Sequence, residues 1–154
     1  MIEGRVLGIF TAPDEGKPVE SRDEVEAVSG RGLRGDRYFL RRGAWSKDPK
    51  PGRDVTLIES EAVASAREEF GLDLEPEESR RNLVTEGVRL NDLVGQEFMV
   101  GEVRLVGVRL CEPCEYLQGL TGQPVVKTLV HRAGLRADIL DGGWIHVGDP
   151  ITQA

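Results

Sequence analysis

No run of about 18 apolar residues occurs anywhere in the 154-residue chain, so the sequence predicts no membrane-spanning helix. The first residues, Met1-Ile2-Glu3-Gly4-Arg5, lack the apolar stretch of a secretory signal, and the expected location is the cytoplasm. Cysteine is scarce, with only Cys111 and Cys114 present. Cytoplasmic thiols stay reduced, and a bridge between two so close in sequence would close almost no loop. An excess of positive charge is missing as well: 20 Lys and Arg stand against 27 Asp and Glu, a formal net charge of −7. Affinity for a phosphate backbone comes from cations that displace counterions, so nucleic acid is not the expected partner. Repeats, low-complexity tracts and linkers are also lacking. The chain fits one domain over 1–154, long enough to fold without a disulfide or metal staple.

What is present is glycine, 19 of them, falling between short apolar runs, as in many short strands joined by tight turns. Strands are expected over Arg5–Phe10, Glu24–Val28, Val55–Ile58, Leu83–Thr85, Glu97–Val100 and Val103–Cys111. Ala137–Leu140 and Trp144–Val147 flank Asp141-Gly142-Gly143, a hairpin signal. In the Val103–Cys111 run the apolar phase switches at Gly107, which predicts a bulge. One helix is expected over Ser60–Phe70, with Ser60 as cap and Gly71 as stop. Further short helices are expected over Glu75–Ser79, Cys114–Leu120 and Pro124–Val130. The loops are Gly30–Asp36, Ala44–Asp54 and Leu90–Gly95. About eight strands, two or three short helices and no β-α-β alternation favour a mainly β fold, a closed or nearly closed β-barrel.

Basic residues collect in three places against the acidic background. Gly35-Asp36-Arg37 ends a glycine-rich loop whose backbone N–H groups can cradle an anion; the alternative is a tight turn with Asp36 capping backbone donors. Arg80-Arg81-Asn82 offers forked donors for phosphate, sulfate or carboxylate, or else an ion pair with Glu75, Glu77 or Glu78. Lys127, Thr128, His131 and Arg132, with Arg136 beyond them, form the third group; Lys127 and His131 share a helical face, and the imidazole can contact an anion or move a proton. In Cys111-Glu112-Pro113-Cys114, Pro113 can open a helix. The helix N-terminus would then lower the Cys114 thiol pKa, favouring a nucleophile, metal ligand or persulfide carrier. Two small buried hydrophobes is the alternative. A thioredoxin-like dithiol lacks its β-α-β setting here. In a zinc site completed by His131 and His146, the histidines lie far wider apart than in a finger.

Taken in order, these segments resemble the MOSC domain, named for the C-terminal part of molybdenum cofactor sulfurase. Gly30–Arg37 is similar to its early G-x-x-G-D-R/H segment, and Arg80–Val84 to R-R-N-[IL]-V. Leu90–Gly95 and Val100-Gly101 match its L-x-x-L-x-G connector. Cys111–Cys114 matches C-x-P-C, and His131–Ala137 with Gly148-Asp149 match the C-terminal pieces. The resemblance implies a barrel of the kind described in pyruvate kinase, and a role in molybdenum cofactor or metal–sulfur chemistry. It places Cys114 as the cysteine after proline, and Arg81, Asn82, Lys127, Thr128 and Arg132 around the cofactor's phosphate and pterin. The amidoxime-reducing relatives carry a molybdenum-ligating cysteine in the segment matching Lys127–Leu135. This chain has no thiol there, so ligation falls to Cys111 or Cys114. The sulfurase's pyridoxal phosphate lysine belongs to a separate domain, and no such chemistry is expected here.

The sequence therefore predicts a protein that binds an anionic ligand, the molybdenum cofactor (molybdopterin), with Cys114 as sulfur carrier or metal ligand. Cys111 is then a second thiol, and a sulfur-donor protein is a partner. Gly35, Asp36, Arg37, Arg80, Arg81, Asn82, Lys127, Thr128, His131 and Arg132 form the surrounding anion site. The rivals are a cofactor-dependent reductase of N-hydroxylated compounds and an anion-binding module without chemistry.

Overall fold

Strict apolar alternation builds most of the wall of this molecule. In Val103–Leu110, residues Val103, Leu105 and Gly107 point inward and Arg104 and Val106 point out, the two-residue period of a half-buried strand. The computed structural model describes residues 3–12, 19–36, 54–71, 81–110 and 134–154. The elements run β1 (Gly4–Thr11), β2 (Glu20–Arg22), β3 (Glu24–Val28), β4 (Gly32–Leu33), β5 (Val55–Glu59), α1 (Ser60–Phe70) and β6 (Leu83–Glu86). A 3₁₀ turn (Leu90–Leu93) follows, then β7 (Glu97–Val100), β8 (Val103–Leu110), β9 (Leu135–Asp141), β10 (Gly143–His146) and β11 (Pro150–Gln153). No described helix is long and apolar enough to cross a membrane.

Strands β1, β6, β5, β9, β8, β7 and β11 hydrogen-bond in that order. The pairs Gly4↔Ile151 and Arg5↔Pro150 join the last to the first, giving the closed barrel that the alternation implies. β2 extends the sheet from the C-terminal end of β1. Ile9, Leu57, Leu83, Phe98, Leu105 and Leu135 fill the interior with no exposed surface; burying a side chain of this size is worth about 1.5–3 kcal/mol. A small sheet in the order β10-β3-β4 adds Val25, Ala27, Leu33 and Ile145 to the same core.

Two bulges shape the wall. The β8–β9 register shifts between Gly107 and Arg109, where the apolar phase of the sequence switches. A side chain at Gly107 would stand 2.0 Å from the Leu93 carbonyl oxygen, so glycine there lets the 3₁₀ turn lie on the strand. A second shift, between Val6 and Gly8, keeps both Val6 and Ile9 pointing inward although they are three apart.

Several expectations need correction. β5 and β6 pair in parallel with α1 between them, so one β-α-β unit is present. Its strands of five and four residues are too short to announce the crossover in sequence. Asp141-Gly142-Gly143 does not close a hairpin: β10 leaves β9 and pairs with β3, Gly143↔Ala27 through His146↔Glu24. No turn or bend forms at Gly142; the partner is set by Ile145, which reaches the core beside Val25 and Ala27. Among the described residues eleven strands replace the expected eight, since β2, β4 and β11 carry no run longer than four residues, and β4 lies inside the expected Gly30–Asp36 loop. Among the described residues there is one α-helix and one 3₁₀ turn.

α1 has the expected bounds, but Ser60 does not cap it. The N-cap position is Glu59, with no side-chain cap, and the Ser60 hydroxyl lies 3.2 Å from Glu61 Oε1 instead. Gly71 ends the helix in the left-handed conformation and donates its N–H to Ala66 and Arg67. Val63 packs on Ile58 and Val84, with Phe10 beside them, covering part of the outer wall. The open edge of β10 is guarded: Trp144 N–H donates to Glu102 Oε1 at 3.3 Å and His146 N–H to Asp149 Oδ2 at 2.8 Å. Carboxylates on outward N–H groups block pairing with another strand.

Candidate functional site

One row of neighbours crosses the wall. Register pairs Arg109 with Arg136 and Thr56 with Arg136, and Thr56 bonds directly to Asn82. Val55, Leu57, Leu135 and Ala137 face the core, so by strand alternation Thr56 and Arg136 face outward.

Asn82 is the knot of this row, at 2% exposure. Its Oδ1 accepts from Thr56 N–H and from the Thr56 hydroxyl, both at 3.1 Å. Its Nδ2 donates to the Phe10 carbonyl at 3.1 Å. Its backbone N–H donates to Thr56 Oγ1, and its carbonyl accepts from Phe10 N–H at 2.7 Å. One side chain thus fastens the ends of β5, β6 and β1. Two residues beyond Phe10, Ala12 N–H donates to buried Asp36 Oδ1 at 3.0 Å, and Asp36 N–H donates to the Leu33 carbonyl in a turn. Gly35, in the left-handed region at φ 92°, makes that turn, with Arg22 beside it. Gly35-Asp36 and Arg81-Asn82, distant in sequence, therefore meet at the C-terminal end of β1. Arg81 is 8% exposed.

The cysteine-bearing stretch 111–133 is rooted on the same wall: Leu110 pairs with Leu135, so its two ends start from adjacent strands. Arg37, Arg80, Cys111, Cys114, Lys127, Thr128, His131 and Arg132 lie outside the described residues, as do the helices expected over 75–79, 114–120 and 124–130. His146 lies within ion-pair distance of Glu24 Oε2, 3.0 Å, and Asp149 Oδ2, 3.6 Å. Among the described residues no three His, Cys, Asp or Glu side chains gather as a metal site.

The sequence reading passed over Thr56, Arg109 and Asp54, and placed Arg136 only in a basic group with Lys127 and Arg132. For Arg136 the signal was there, as a cation between two core residues of an alternating strand. Asp54 precedes β5 and its Oδ2 accepts Ile139 N–H at 3.0 Å. Burial pushes its carboxyl pKa up, the Ile139 hydrogen bond opposes this, and the nearby Asp138 charge adds to it. Folding therefore favours the protonated form. That contribution is complete below the usual carboxylate range and is lost as pH rises through the raised pKa. Asp54→Asn keeps an acceptor for Ile139 and removes the charge. It is expected to raise Tm at about pH 7 and leave it little changed at about pH 3, below the ordinary Asp pKa; thermal melts across that range decide.

The fold and this wall define a class: a small closed barrel with a β-α-β insert and a long cysteine-bearing excursion between two adjacent strands. The family model for the MOSC domain matches residues 47–152, and the chain belongs to that family. Solved structures share the fold. YuaD from Bacillus subtilis superposes with a TM-score of 0.78 at 19% identity, over 97% of this chain and 94% of that one. YiiM from Geobacillus stearothermophilus gives 0.75 at 14% identity, over 98% and 75%. YiiM from Escherichia coli gives 0.68 at 18% identity, over 100% and 70%. No curated protein sequence matches.

Proposed function

We propose that this MOSC-domain protein binds an anionic ligand, the molybdenum cofactor, and that Cys114 serves it as sulfur carrier or metal ligand. The observation that carries this reading is the outer-wall row. It links the clasp formed by Asp36 and Asn82, with Arg81 next to Asn82 in the chain, to the strands from which the stretch 111–133 starts and to which it returns. When bound, the cofactor would supply oxygen-atom or sulfur chemistry at molybdenum. Arg37, Arg80, Arg81, Lys127, Thr128 and Arg132 would hold its phosphate end, and Gly35, Asp36 and Asn82 would hold the wall in shape behind it.

As a carrier, Cys114 thiolate attacks the outer sulfur of a donor protein's persulfide. The donor S–S bond breaks, the donor departs as thiolate, and Cys114 keeps the persulfide. Cys111 is close enough in sequence to release that sulfur by forming a disulfide with Cys114. Cys114→Ser is expected to abolish persulfide loading, read by mass spectrometry after incubation with a persulfide donor, while Cys111→Ser retains it. Unchanged loading in Cys114→Ser overturns the cysteine's role. Reduction of an N-hydroxylated compound by molybdenum-loaded protein with an electron donor would instead favour the reductase reading. Two thiols inert to a thiol reagent in the folded state would favour a module without chemistry.

A further inference from the structure

Arg136 poses a problem that the barrel does not solve. Its Nη1 is buried, yet no hydrogen-bond partner among the described residues reaches it. A buried donor left unpaired is costly, and more so on a charged group. The neighbours across the strands give no relief. On one side stands Arg109, and like charges directly opposite each other on adjacent strands repel. On the other stands Thr56, whose hydroxyl already donates to Asn82 Oδ1 and accepts from Asn82 N–H.

An anion resolves both costs together. A guanidinium fork presents N–H donors in the spacing of two oxygens of a phosphate or carboxylate, and a negative charge between two arginines turns repulsion into attraction. We infer that Arg136, with Arg109 adding charge from the next strand, seats a compact oxyanion of the phosphate or phosphomonoester class on the outer wall between β8 and β9. The seat lies where the stretch 111–133 leaves and rejoins the barrel. It deepens the proposed function by adding a residue to the anion site, yet it needs neither thiol nor pterin to be tested.

The test uses the whole chain, purified from a host that makes no molybdenum cofactor, and follows Tm and calorimetric heat against inorganic phosphate, with chloride at matched ionic strength as control. Saturable phosphate binding is expected. Arg136→Met is expected to weaken it on the order of ten- to a hundredfold, the loss of one charge-assisted hydrogen-bonded contact, and Arg136→Lys less. Persulfide loading of Cys114 is read on the same preparations by mass spectrometry, so failure of the thiol's role and failure of this seat are read separately. No saturable response in the wild type, or wild-type affinity in Arg136→Met, overturns the inference. Repeating the titration on cofactor-loaded protein tells the two sources apart: loss of phosphate binding marks the seat as the cofactor's own phosphate end, and retained binding marks it as a seat for a separate phosphate.

Discussion

Asn82→Ala is expected to cost about 3–5 kcal/mol of stability, a drop that urea unfolding would read directly. The substitution leaves Thr56 N–H, the Thr56 hydroxyl and the Phe10 carbonyl without the partners that Asn82 gives them. The Thr56 bonds are buried and the Phe10 bond partly so, and the Thr56 hydroxyl keeps only the backbone N–H of residue 82; a buried polar group stripped of its partner costs about 1–3 kcal/mol. Asn82→Asp sharpens the point. Aspartate retains the acceptor for Thr56 but loses the donor to Phe10 and brings a charge to a position 2% exposed. Its deficit should be largest at neutral pH and shrink as acid protonates the carboxyl, whereas the Asn82→Ala deficit should not change with pH over the same range. A loss below about 1 kcal/mol for Asn82→Ala, the ordinary cost of a surface change, would mean that β1, β5 and β6 hold together without the clasp. The link between the two halves of the candidate site would then be incidental.

How far the sequence discloses this molecule depends on range. Features set by neighbours along the chain were legible. α1 appears with the bounds its apolar spacing implies, the bulge falls where the β8 pattern changes phase at Gly107, and β3 and β7 match the expected runs residue for residue. Features set by partners far away were not. β10 carries a turn signal that points back to β9, yet it pairs with β3 because Ile145 completes the core there. Ser60 satisfies every local rule for a helix cap and caps nothing. For the candidate site the same division holds. Gly35-Asp36 and Arg81-Asn82 were legible as polar motifs because their residue types are unusual for their settings. Their meeting at the end of β1 was not, since it depends on the 24-residue separation between Ala12 and Asp36 and the 72-residue separation between Phe10 and Asn82. Arg136 was legible as a member of a basic group with Lys127 and Arg132 but not as half of a pair: an alternating strand is expected to carry a polar residue facing out, and only the three-dimensional register reveals that its neighbour on the next strand is another arginine.

Gly134→Ala should be the most damaging single-methyl change on the wall, costing about 4 kcal/mol or more, in the range reserved for disrupted cores and strained backbones. Two effects combine. The residue sits at φ 113°, a backbone conformation that an L side chain enters at a cost of about 1–2 kcal/mol. Its added Cβ would stand 1.9 Å from the Leu57 carbonyl oxygen and 3.0 Å from the carbon. Leu57 cannot yield: it is fully buried, and its strand is held on one side by β6 and on the other by β9. Two other glycines calibrate the claim. Gly71→Ala carries backbone strain alone, since φ is 68° and nothing lies within 4 Å, and about 1–2 kcal/mol is expected. Gly107→Ala carries contact alone, 2.0 Å from the Leu93 carbonyl, but Leu93 belongs to a single 3₁₀ turn that can lift from the wall. It should fall between the other two. Melting temperatures in the order Gly71→Ala above Gly107→Ala above Gly134→Ala confirm that the β5–β9 seam is the rigid part of the barrel. Since Gly134 is also the last residue before β9, where the cysteine-bearing stretch rejoins the wall, a Gly134→Ala protein that still folds should lose phosphate binding at Arg136, two residues on, even at temperatures where its barrel is intact. A variant that melts near the wild type and binds phosphate normally would show that the seam yields, and that neither the clasp nor the arginine pair is held as rigidly as the close packing of the wall implies.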